Sequence, residues 1–474
     1  MKNSHISPVN KLTYGIGSIA YGVKSNGFDY WFLIFYSQAM GVDAYLVGLA
    51  LMISLVIDSL SDPLIGYFSD NTHTRWGRRH PYMYAAAIPV SLSYFFIWNP
   101  PASLSGNELF GYILCLAILV RTLITIYEIP NSAMVAEMTE DYDERTSILS
   151  YRFFFGWSGG TLMGACTSYY LLVPTSEYSH GTFNVAGYGQ MGLVAALIIF
   201  TAIMTSAIGT HNLIPKLKPA PSKRKLTIRQ IYREIFETLR NRSFVALFAA
   251  ALFGAIGTGT AAGLSLYLNS FFWGFSTAQY SLISLSVVIS AIIGLVISPI
   301  VSRKLGKKRA AIITGLLAFT ILPMTIILRL LGLMPENGDP LLFPIILSVT
   351  IIDVGLIISY QTITTSMIAD LVEQSEVNTG RRSEGVFFAT MTFVKKFVQG
   401  FGVVMASTIL TIAQFPKGVS IENVPSEAIF QLGALYVPTV VTVWMIMIWC
   451  ISYYEVDRDQ HTANLNTLGR GAKN

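Results

Sequence analysis

Apolar stretches of membrane-spanning length recur along the chain, separated by short polar, charged or Pro/Gly-containing segments. About 20 consecutive apolar residues are enough for a helix to cross the hydrocarbon core of a bilayer. Twelve spans are predicted, at roughly 12–39, 44–70, 81–99, 108–136, 147–173, 189–213, 243–273, 277–302, 310–333, 341–370, 384–413 and 428–454. Because lipid offers backbone groups no hydrogen-bond partners, the expected fold class is an all-α membrane protein.

The composition agrees with this assignment. The 474 residues are 53% hydrophobic and only 12% charged, whereas a soluble domain has about 25% charged residues. The three cysteines lie apart in apolar runs, and neither they nor the six histidines show a disulfide or metal-binding pattern. No nucleophile–base pair or metal motif is apparent. We therefore expect no enzymatic activity, no cofactor and no nucleic-acid partner.

The charges of the loops predict how the chain lies in the membrane. Lys and Arg are concentrated in alternate loops, at Arg75–Arg79, Pro215–Arg242 and Arg303–Arg309. Intervening loops such as Asn99–Asn107 and Pro174–Gly187 contain none. Since cytoplasmic loops have an excess of Lys and Arg, both termini and the long middle loop are predicted to be cytoplasmic.

The middle loop divides the predicted spans into two sets of six. Residues 1–214 are predicted to form an N-terminal bundle, residues 243–455 a C-terminal bundle and residues 456–474 a cytoplasmic tail. Residues 215–242 form the linker between the bundles. Its second part has apolar residues at 228, 231, 235 and 239, which is the spacing of a helix lying on the cytoplasmic membrane surface.

Two carboxylates in the second predicted span, Asp58 and Asp62, dominate the chemistry of the sequence. A charged side chain near the bilayer centre costs at least about 2.5–3.5 kcal/mol on insertion scales, so such residues are usually functional. Residues at i and i+4 lie on the same face of a helix. Two stacked carboxylates repel each other unless a bound cation, a shared proton or a Lys/Arg partner compensates them.

Other polar residues interrupt the apolar spans. They are Lys24, Asn26 and Asp29 in the first span, Thr125 and Glu128 in the fourth, Arg152 in the fifth, and Lys395 and Lys396 in the eleventh. The four acidic residues among them and in the second span could be balanced by Lys24, Arg152, one of the adjacent lysines and a bound cation. The set either pins helices together or lines a hydrophilic cavity, and its spread over five spans favours the cavity. Asp353 in the tenth span has no evident partner, and its role stays open.

Charged segments at the predicted cytoplasmic helix ends have two interpretations. Acidic residues occur within Glu137–Arg145 and Asp370–Glu384, and arginines lie nearby in the chain or at neighbouring helix ends. These segments are either solvated loops or a latch that closes the cytoplasmic side. The proximity of opposite charges favours a latch of Asp70, Arg75, Arg78, Arg79, Glu137, Asp370 and Arg381.

Several of these residues together resemble the signature of a known family. The pattern consists of Asp58-x-x-Ser61-Asp62-Pro63-x-x-Gly66, Asp70, Thr-Arg-Trp-Gly-Arg-Arg-x-Pro from Thr74 to Pro81, Glu128-Ile-Pro, Arg152-Phe-Phe, Ala369-Asp370 and Lys396. It is similar to the glycoside–pentoside–hexuronide:cation symporters of the major facilitator superfamily. The resemblance implies two six-helix bundles that rock around a central site, and coupling to Na⁺, H⁺ or Li⁺.

The resemblance also implies roles for individual residues. The cation site would consist of Asp58, Ser61, Asp62 and Thr125, with the two carboxylates as ligands of Na⁺ where Na⁺ is the ion. Glu128 would bind substrate with Arg152 beside it, and Lys396 would connect the eleventh helix to the carboxylates. The further substrate-binding candidates are Lys24, Asn26, Tyr127 and Trp157.

Some positions depart from the family pattern. The place of a sugar-binding Asp in the first span holds Gly22, and Ser132 replaces a Trp that follows the fourth-span acid. A galactoside is therefore not the expected substrate. Lys24 would suit an acidic sugar such as a hexuronide, or it only neutralises Asp29.

The expected function is secondary active transport. A sugar, glycoside or hexuronide would be taken up together with Na⁺ or H⁺ by alternating access, in a bacterial inner membrane and by a monomer. One alternative keeps the fold and transports a lysolipid or another amphipathic solute. A further alternative is a membrane sensor that transports nothing, although only short loops and a short tail leave the membrane.

Overall fold

The computed structural model describes residues 6–139, 142–178, 180–217, 242–379, 384–417 and 423–455, apart from some side chains within these ranges. All regular elements in the described ranges are helical, and none is a strand. The predicted all-α fold class is confirmed. The predicted surface helix of the linker lies outside the described residues.

Twelve long helical segments, α1 to α12, follow one another along the described chain. The segment α1 covers residues 8–39 in consecutive pieces, and the others are α2 (Ala44–Asn71), α3 (His80–Ile97), α4 (Gly106–Met138), α5 (Tyr142–Cys166), α6 (Val185–Gly209), α7 (Arg242–Tyr267), α8 (Thr277–Leu305), α9 (Lys307–Leu330), α10 (Leu342–Thr379), α11 (Glu384–Ile412) and α12 (Ser426–Ile451). The π turns Thr167–Leu171 and Leu268–Phe272 continue α5 and α7, and 3₁₀ turns occur at Gly181–Phe183 and His211–Lys216. Most ends lie within a few residues of the predicted spans.

Two ends differ more from the prediction. The helix α5 already begins at Tyr142, and α10 continues to Thr379. Parts of both charged segments at the predicted cytoplasmic side are therefore helical extensions rather than loops. The reason is that polar residues end an apolar span without ending a helix, since Glu, Gln and Lys are good helix formers.

Eight helices in the described ranges, α2, α4, α6 to α10 and α12, are long and apolar enough to cross a membrane. The remaining four are α1, α3, α5 and α11. In α1, π turns at Gly27–Trp31 and Phe35–Ala39 interrupt the α-helical pieces, and single π turns inside helices often occur at functional sites.

Small residues bring α1 and α5 into close contact. A Cβ on Gly22 would lie 1.9 Å from the carbonyl oxygen of Gly156, and one on Gly160 would lie 2.7 Å from the carbonyl oxygen of Gly22. Only glycines allow such an approach of two helix backbones. A larger side chain such as that of Asp would therefore not fit at position 22.

Helices of the two halves also pack against each other. The helix α2 of the first half lies along α11 of the second, and α5 contacts α8. These contacts place the polar residues of α2 beside those of α11.

The helix α2 begins after Asp43, whose carboxylate caps the helix by accepting a hydrogen bond from the Tyr45 amide at 3.0 Å.

Candidate functional site

Asp58 of α2 is held between the two halves of the molecule. Only 2% of its surface is exposed. Its Oδ1 accepts a hydrogen bond from the Thr125 hydroxyl of α4 at 2.6 Å, and its Oδ2 lies 3.5 Å from the Lys396 ammonium of α11. Hydrogen bonds to a charged group are shorter and stronger than neutral ones, so this carboxylate has a fixed orientation.

Asp62 lies one turn further along α2, and only one of its two carboxylate oxygens has a hydrogen-bond partner among the described residues. Its Oδ2 accepts a hydrogen bond from Lys396 Nζ at 2.8 Å. Its Oδ1 is buried and has no hydrogen-bond partner in the part of the chain that the structure describes. Lys396 therefore contacts both carboxylates, and one positive charge faces two negative ones. An unsatisfied buried oxygen is costly, so a cation or a proton at this oxygen would stabilise the site.

The atoms around the two carboxylates are suited to a hard cation. The Ser61 hydroxyl donates to the backbone carbonyl of Asp58 at 2.9 Å, which leaves its oxygen lone pairs free. Together with the Thr125 hydroxyl, the set consists of oxygen atoms only, which Na⁺ prefers over nitrogen or sulfur. A close pair of carboxylates equally accepts a proton.

A second charged pair lies on the same face of α4. Arg152 Nη2 of α5 lies 3.4 Å from Glu128 Oε1, and their side chains are 24% and 17% exposed. Glu128 follows Thr125 by three residues, so the two side chains are neighbours on the helix surface. The helix α4 thus connects the carboxylate pair of α2 with the Glu128–Arg152 pair.

Lys24 and Asn26 occupy different surroundings on α1. Lys24 is 4% exposed, and its ammonium lies 4.6 Å from the centre of the Tyr21 ring. Asp29 instead accepts a hydrogen bond from Gln399 Nε2 of α11 at 3.5 Å, and no ion pair joins it to Lys24 among the described contacts. The interpretation that Lys24 neutralises Asp29 stays a prediction. The Asn26 side chain packs against Gly164 at the α1–α5 contact.

Arg121 is a buried charge that our reading of the sequence missed. It is 4% exposed, its guanidinium carbon lies 4.7 Å from the centre of the Phe28 ring, and its Nε has no hydrogen-bond partner among the described residues. A signal was available, because Arg121 precedes Thr125 by four residues and therefore shares its helix face. The long apolar run around it hid that spacing.

The aromatic candidates are placed in two ways. Tyr127 is buried, and its hydroxyl accepts a hydrogen bond from Asn131 on the same helix. It therefore packs inside the first bundle. Trp157 of α5 is instead 62% exposed.

The predicted latch is described in part. Glu137 at the end of α4 forms ion pairs of 2.8 Å with both Arg78 and Arg79, and Arg79 also donates to the Ser69 hydroxyl at 2.7 Å. Arg75 instead lies over the Trp76 ring at 5.4 Å. These contacts fasten the α2–α3 loop to α4 within one bundle. The side chains of Asp70 and Asp370, and Arg381 as a whole, lie outside the described residues.

The opposite end of α2 is joined to the second bundle. Lys417, after α11, forms an ion pair with Asp43 at 2.7 Å, and Gln38 donates to the carbonyl of Pro416 at 3.1 Å. The hydrogen bond from Lys417 holds the pKa of the Asp43 carboxyl below its usual value. A cleft of about 350 Å³ lies beside this pair, between the end of α1 and the end of α11. This end of the molecule is therefore closed by contacts between the bundles.

A helical membrane protein with two bundles and buried charges at their contact has the architecture of a membrane transporter. Residues 13–458 match the family described as MFS/sugar transport protein. The chain belongs to this family.

Known proteins of similar sequence and structure agree. The isoprimeverose transporter of Lactiplantibacillus pentosus is 22% identical, over 94% of this chain and 88% of its own. The putative glycoside/cation symporter YagG of Escherichia coli is 23% identical, over 94% and 92%. The sodium-dependent lysophosphatidylcholine symporter 1 of Gallus gallus is 20% identical, over 98% and 89%. A solved D-xylose–proton symporter superposes with a TM-score of 0.61 at 15% identity, over 92% of this chain and 97% of its own.

Proposed function

We propose that this protein takes up a sugar, glycoside or hexuronide together with a cation, by alternating access. The observation that carries the proposal is the shared lysine. Lys396 of the second bundle contacts Asp58 and Asp62 of the first, so the state of the carboxylates and the contact between the bundles are linked. The names of the two bacterial relatives, one an isoprimeverose transporter and one a putative glycoside/cation symporter, support this substrate class.

The coupling ion binds at Asp62 in this proposal. The unpartnered Oδ1 of Asp62, the second carboxylate of Asp58 and the hydroxyls of Ser61 and Thr125 supply the oxygen atoms. All four groups would be ligands of Na⁺, whereas H⁺ would neutralise Asp62 alone. Either ion competes with Lys396 for the carboxylates, and its binding therefore loosens a contact between the bundles.

The substrate binds next to this pair, at Glu128 and Arg152. These side chains are partly exposed, and their mutual distance of 3.4 Å is long for a charge-assisted hydrogen bond. Hydroxyl groups of a sugar can therefore insert between them without breaking a strong contact. Lys24 contributes to the same site, and Trp157 is a candidate for stacking on the sugar ring.

The closed end of the molecule supports alternating access. Asp43 and Lys417 join the bundles at the end of α2 that lies away from the basic Arg75–Arg79 loop. If that loop is cytoplasmic, as the distribution of charges indicates, this structure has its outer side closed. Opening there requires that the Asp43–Lys417 pair separate while the contacts of the Arg75–Arg79 loop move with the first bundle.

Uptake into proteoliposomes tests the proposal. We expect labelled sugar to accumulate only under an inward gradient of Na⁺ or of H⁺, and we expect Asp62→Asn to abolish accumulation. Asp339→Asn, in an exposed loop, is the matched control and should leave accumulation intact. Accumulation by Asp62→Asn with an unchanged ion dependence would contradict the proposed role of this residue.

The lysolipid alternative is motivated by the relative from Gallus gallus, a lysophosphatidylcholine symporter. Competition separates the two substrates. We expect unlabelled sugars or uronides, and not lysophosphatidylcholine, to reduce uptake of the labelled sugar. The sensor alternative predicts that preloaded liposomes show no counterflow of any solute.

A further inference from the structure

The cleft beside the Asp43–Lys417 pair has walls from both bundles. Its volume is about 350 Å³, which is within the range of pockets that hold small ligands. Ser37 and Gln38 at the end of α1 and Ala44 at the start of α2 belong to one wall. The other wall comes from residues at the end of α11 and just after it. The cleft therefore keeps this shape only while the bundles are in contact at this end.

Gln38 brings a buried hydrogen-bond acceptor to the first wall. The residue is 3% exposed. Its Nε2 donates a hydrogen bond to the carbonyl of Pro416 in the opposite wall at 3.1 Å. Its Oε1 has no hydrogen-bond partner among the residues that the structure describes. Because an unsatisfied buried oxygen is unfavourable, a hydroxyl group of a ligand in the cleft would stabilise the site by donating to it.

The turn that ends α11 is a second sign of a binding site. The amide of Phe415 donates a hydrogen bond to the carbonyl of Leu410 at 2.9 Å, and such a turn places the residue before Phe415 in the left-handed region, where glycine is usual. Gln414 stands there with a φ of 49°, the one non-glycine residue with positive φ in the described ranges. A glycine would relieve the backbone strain. The glutamine instead adds an amide group to the lining of the cleft.

The lining fits a neutral molecule with several hydroxyl groups. The charges of Asp43 and Lys417 cancel, since the two side chains form an ion pair at 2.7 Å. The exposed side chain of Thr411 adds a hydroxyl group, and Leu410 and Phe415 add apolar atoms. A few polar groups on an otherwise apolar lining fix the orientation of a small ligand. A sugar ring has the matching surfaces, because its hydroxyl groups are polar and its C–H groups are not.

We propose that this cleft is a second sugar site, separate from the one at Glu128 and Arg152, and that a neutral monosaccharide or its methyl glycoside bound there holds the bundles closed at this end. A ligand that contacts both walls binds the closed state and not the open one, and therefore shifts the population toward the closed state. Since this end is the outer one in the proposed transport cycle, external sugar at high concentration slows its own uptake. Binding in the cleft does not depend on the proposed symport, whereas the effect on uptake rests on it.

Protection of a cysteine in the cleft tests the binding. The purified full-length variant Thr411→Cys is treated with N-ethylmaleimide, and alkylation at position 411 is followed by peptide mass spectrometry. The probes are methyl β-D-glucoside, methyl β-D-galactoside and methyl β-D-xyloside. Glu128→Gln is added to weaken binding at the central site. We expect at least one glycoside to slow alkylation, by about tenfold at about ten times its dissociation constant, because the free fraction falls as 1/(1 + [L]/Kd).

The matched control for this measurement is Glu336→Cys, in the exposed loop before α10. Its alkylation should be equally fast with and without glycoside.

A bulky side chain in the cleft tests the effect on uptake. Initial rates of glycoside uptake into proteoliposomes are measured over a wide range of external concentration. In the wild type the rate should pass through a maximum and then fall. In Thr411→Trp, which fills the cleft, the rate should rise to a plateau instead. Ile412→Trp is the matched control, since Ile412 is 58% exposed and does not line the cleft, and it should behave as the wild type does.

Three outcomes would overturn the inference: alkylation at position 411 that no glycoside slows, protection that disappears with Glu128→Gln, or wild-type uptake that reaches a plateau without falling. A thermal melt shows whether each variant is folded, and the uptake of Thr411→Trp decides the question if the double variant is not. Failure of the proposed symport has a different signature. A protein that takes up no sugar, yet is protected at position 411, would keep the second site and lose the proposed function.

Discussion

The described side chains of the two bundles differ in the charges that they bury. In the described residues of the first bundle and its loops, buried charged side chains include Lys24, Asp58, Arg79, Arg121 and Glu137. In those of α7 to α12, Asp353 is the one acidic or basic side chain that is buried. The interior of the second bundle is instead formed by apolar and aromatic packing, such as that of Phe319 with Tyr360 and Trp444.

This difference suggests a division of labour between the bundles. The first bundle contains the groups that would bind ion and substrate. The second presents Lys396 and Gln399 from a single helix, α11, toward the first. A lysine that occupies the carboxylates when the coupling ion is absent makes the second bundle respond to the ion. In this view the second bundle responds to the occupancy of the ion site through Lys396, while the first bundle supplies the binding groups.

The largest effect is expected from Lys396→Gln. Without the ammonium group, Asp58 and Asp62 face each other with no positive charge in contact, and breaking a buried ion pair in this way costs about 3–5 kcal/mol. A cation no longer has to displace Lys396, so its binding should become tighter. We expect cation-driven accumulation of sugar to be lost while the thermal stabilisation by Na⁺ or by acid increases.

Lys417→Gln is the matched control for Lys396→Gln, since it removes the lysine of the half-exposed Asp43 pair instead. It should retain most of the accumulation. If Lys396→Gln accumulates sugar as the wild type does, or if its stabilisation by cations is unchanged, then the second bundle does not sense the site through this lysine.

A large effect is also expected from Glu128→Gln. The substitution leaves Arg152 without its acidic partner at 3.4 Å and takes away a hydrogen-bond acceptor for sugar hydroxyls. Loss of a hydrogen bond to a charged group is worth about 1.5–3 kcal/mol, so substrate affinity should fall by about ten- to a hundredfold. Equilibrium binding of the substrate at saturating cation measures this change.

Glu108→Gln, at the exposed start of the same helix, should leave substrate affinity unaltered. Cation binding, followed by thermal shift in the absence of sugar, should survive in Glu128→Gln because Thr125 and both aspartates are intact. Equal losses of cation and sugar binding would mean that Glu128 belongs to the ion site instead.

Asp353→Asn should have a small effect on stability, and it tests the buried acid of the second bundle. Asp353 is 4% exposed and its Oδ1 has no hydrogen-bond partner among the described residues. Asparagine has the same shape and avoids the free-energy cost of burying an acidic group. The free energy of unfolding should therefore rise by about 1 kcal/mol. Accumulation of sugar should be unchanged. Loss of ion-driven accumulation with an intact melt would show that the second bundle has a titrating site of its own.

The sequence predicted most of the fold because the strongest constraint is local. A bilayer requires long apolar helices, and their positions are visible as runs of residues. The carboxylate pair and its lysine were also within reach, since Asp58 and Asp62 share a helix face and Lys396 interrupts α11. Whether Lys396 faces the first bundle depends on how α2 packs along α11. The local sequence does not contain that information.

The misses have the same cause. Arg121 was overlooked because a single charge in a long apolar run has no partner in the sequence. Tyr127 was a candidate because an aromatic ring can stack on a sugar. Its hydroxyl accepts a hydrogen bond from Asn131 on the same helix, and its role in substrate binding stays a prediction. The contact between Lys417 and Asp43 was also out of reach, because the two residues lie 374 positions apart in the chain.

The smallest effect is expected from Asp43→Asn, which breaks that contact between the bundles. The Asp43 and Lys417 side chains are 39% and 49% exposed, and ion pairs of this kind contribute about 0.2–1 kcal/mol. The pKa of Asp43 is lowered in the folded protein by Lys417. Its contribution to stability is therefore fully present above the ordinary pKa of an aspartate, about 3.9, and is lost as the pH falls through the lowered value.

Wild type and Asp43→Asn should thus differ by a small, constant free energy of unfolding from neutral pH down to about pH 5, and should converge in more acidic solution. Denaturant unfolding of the purified protein at a series of pH values measures this difference. The double variant Asp43→Asn/Lys417→Gln should be less stable than either single variant by no more than the free energy that the ion pair contributes. A difference that persists unchanged below the lowered pKa would mean that the asparagine substitution disturbs the cap of α2 at the Tyr45 amide, and that the ion pair contributes nothing to closing this end.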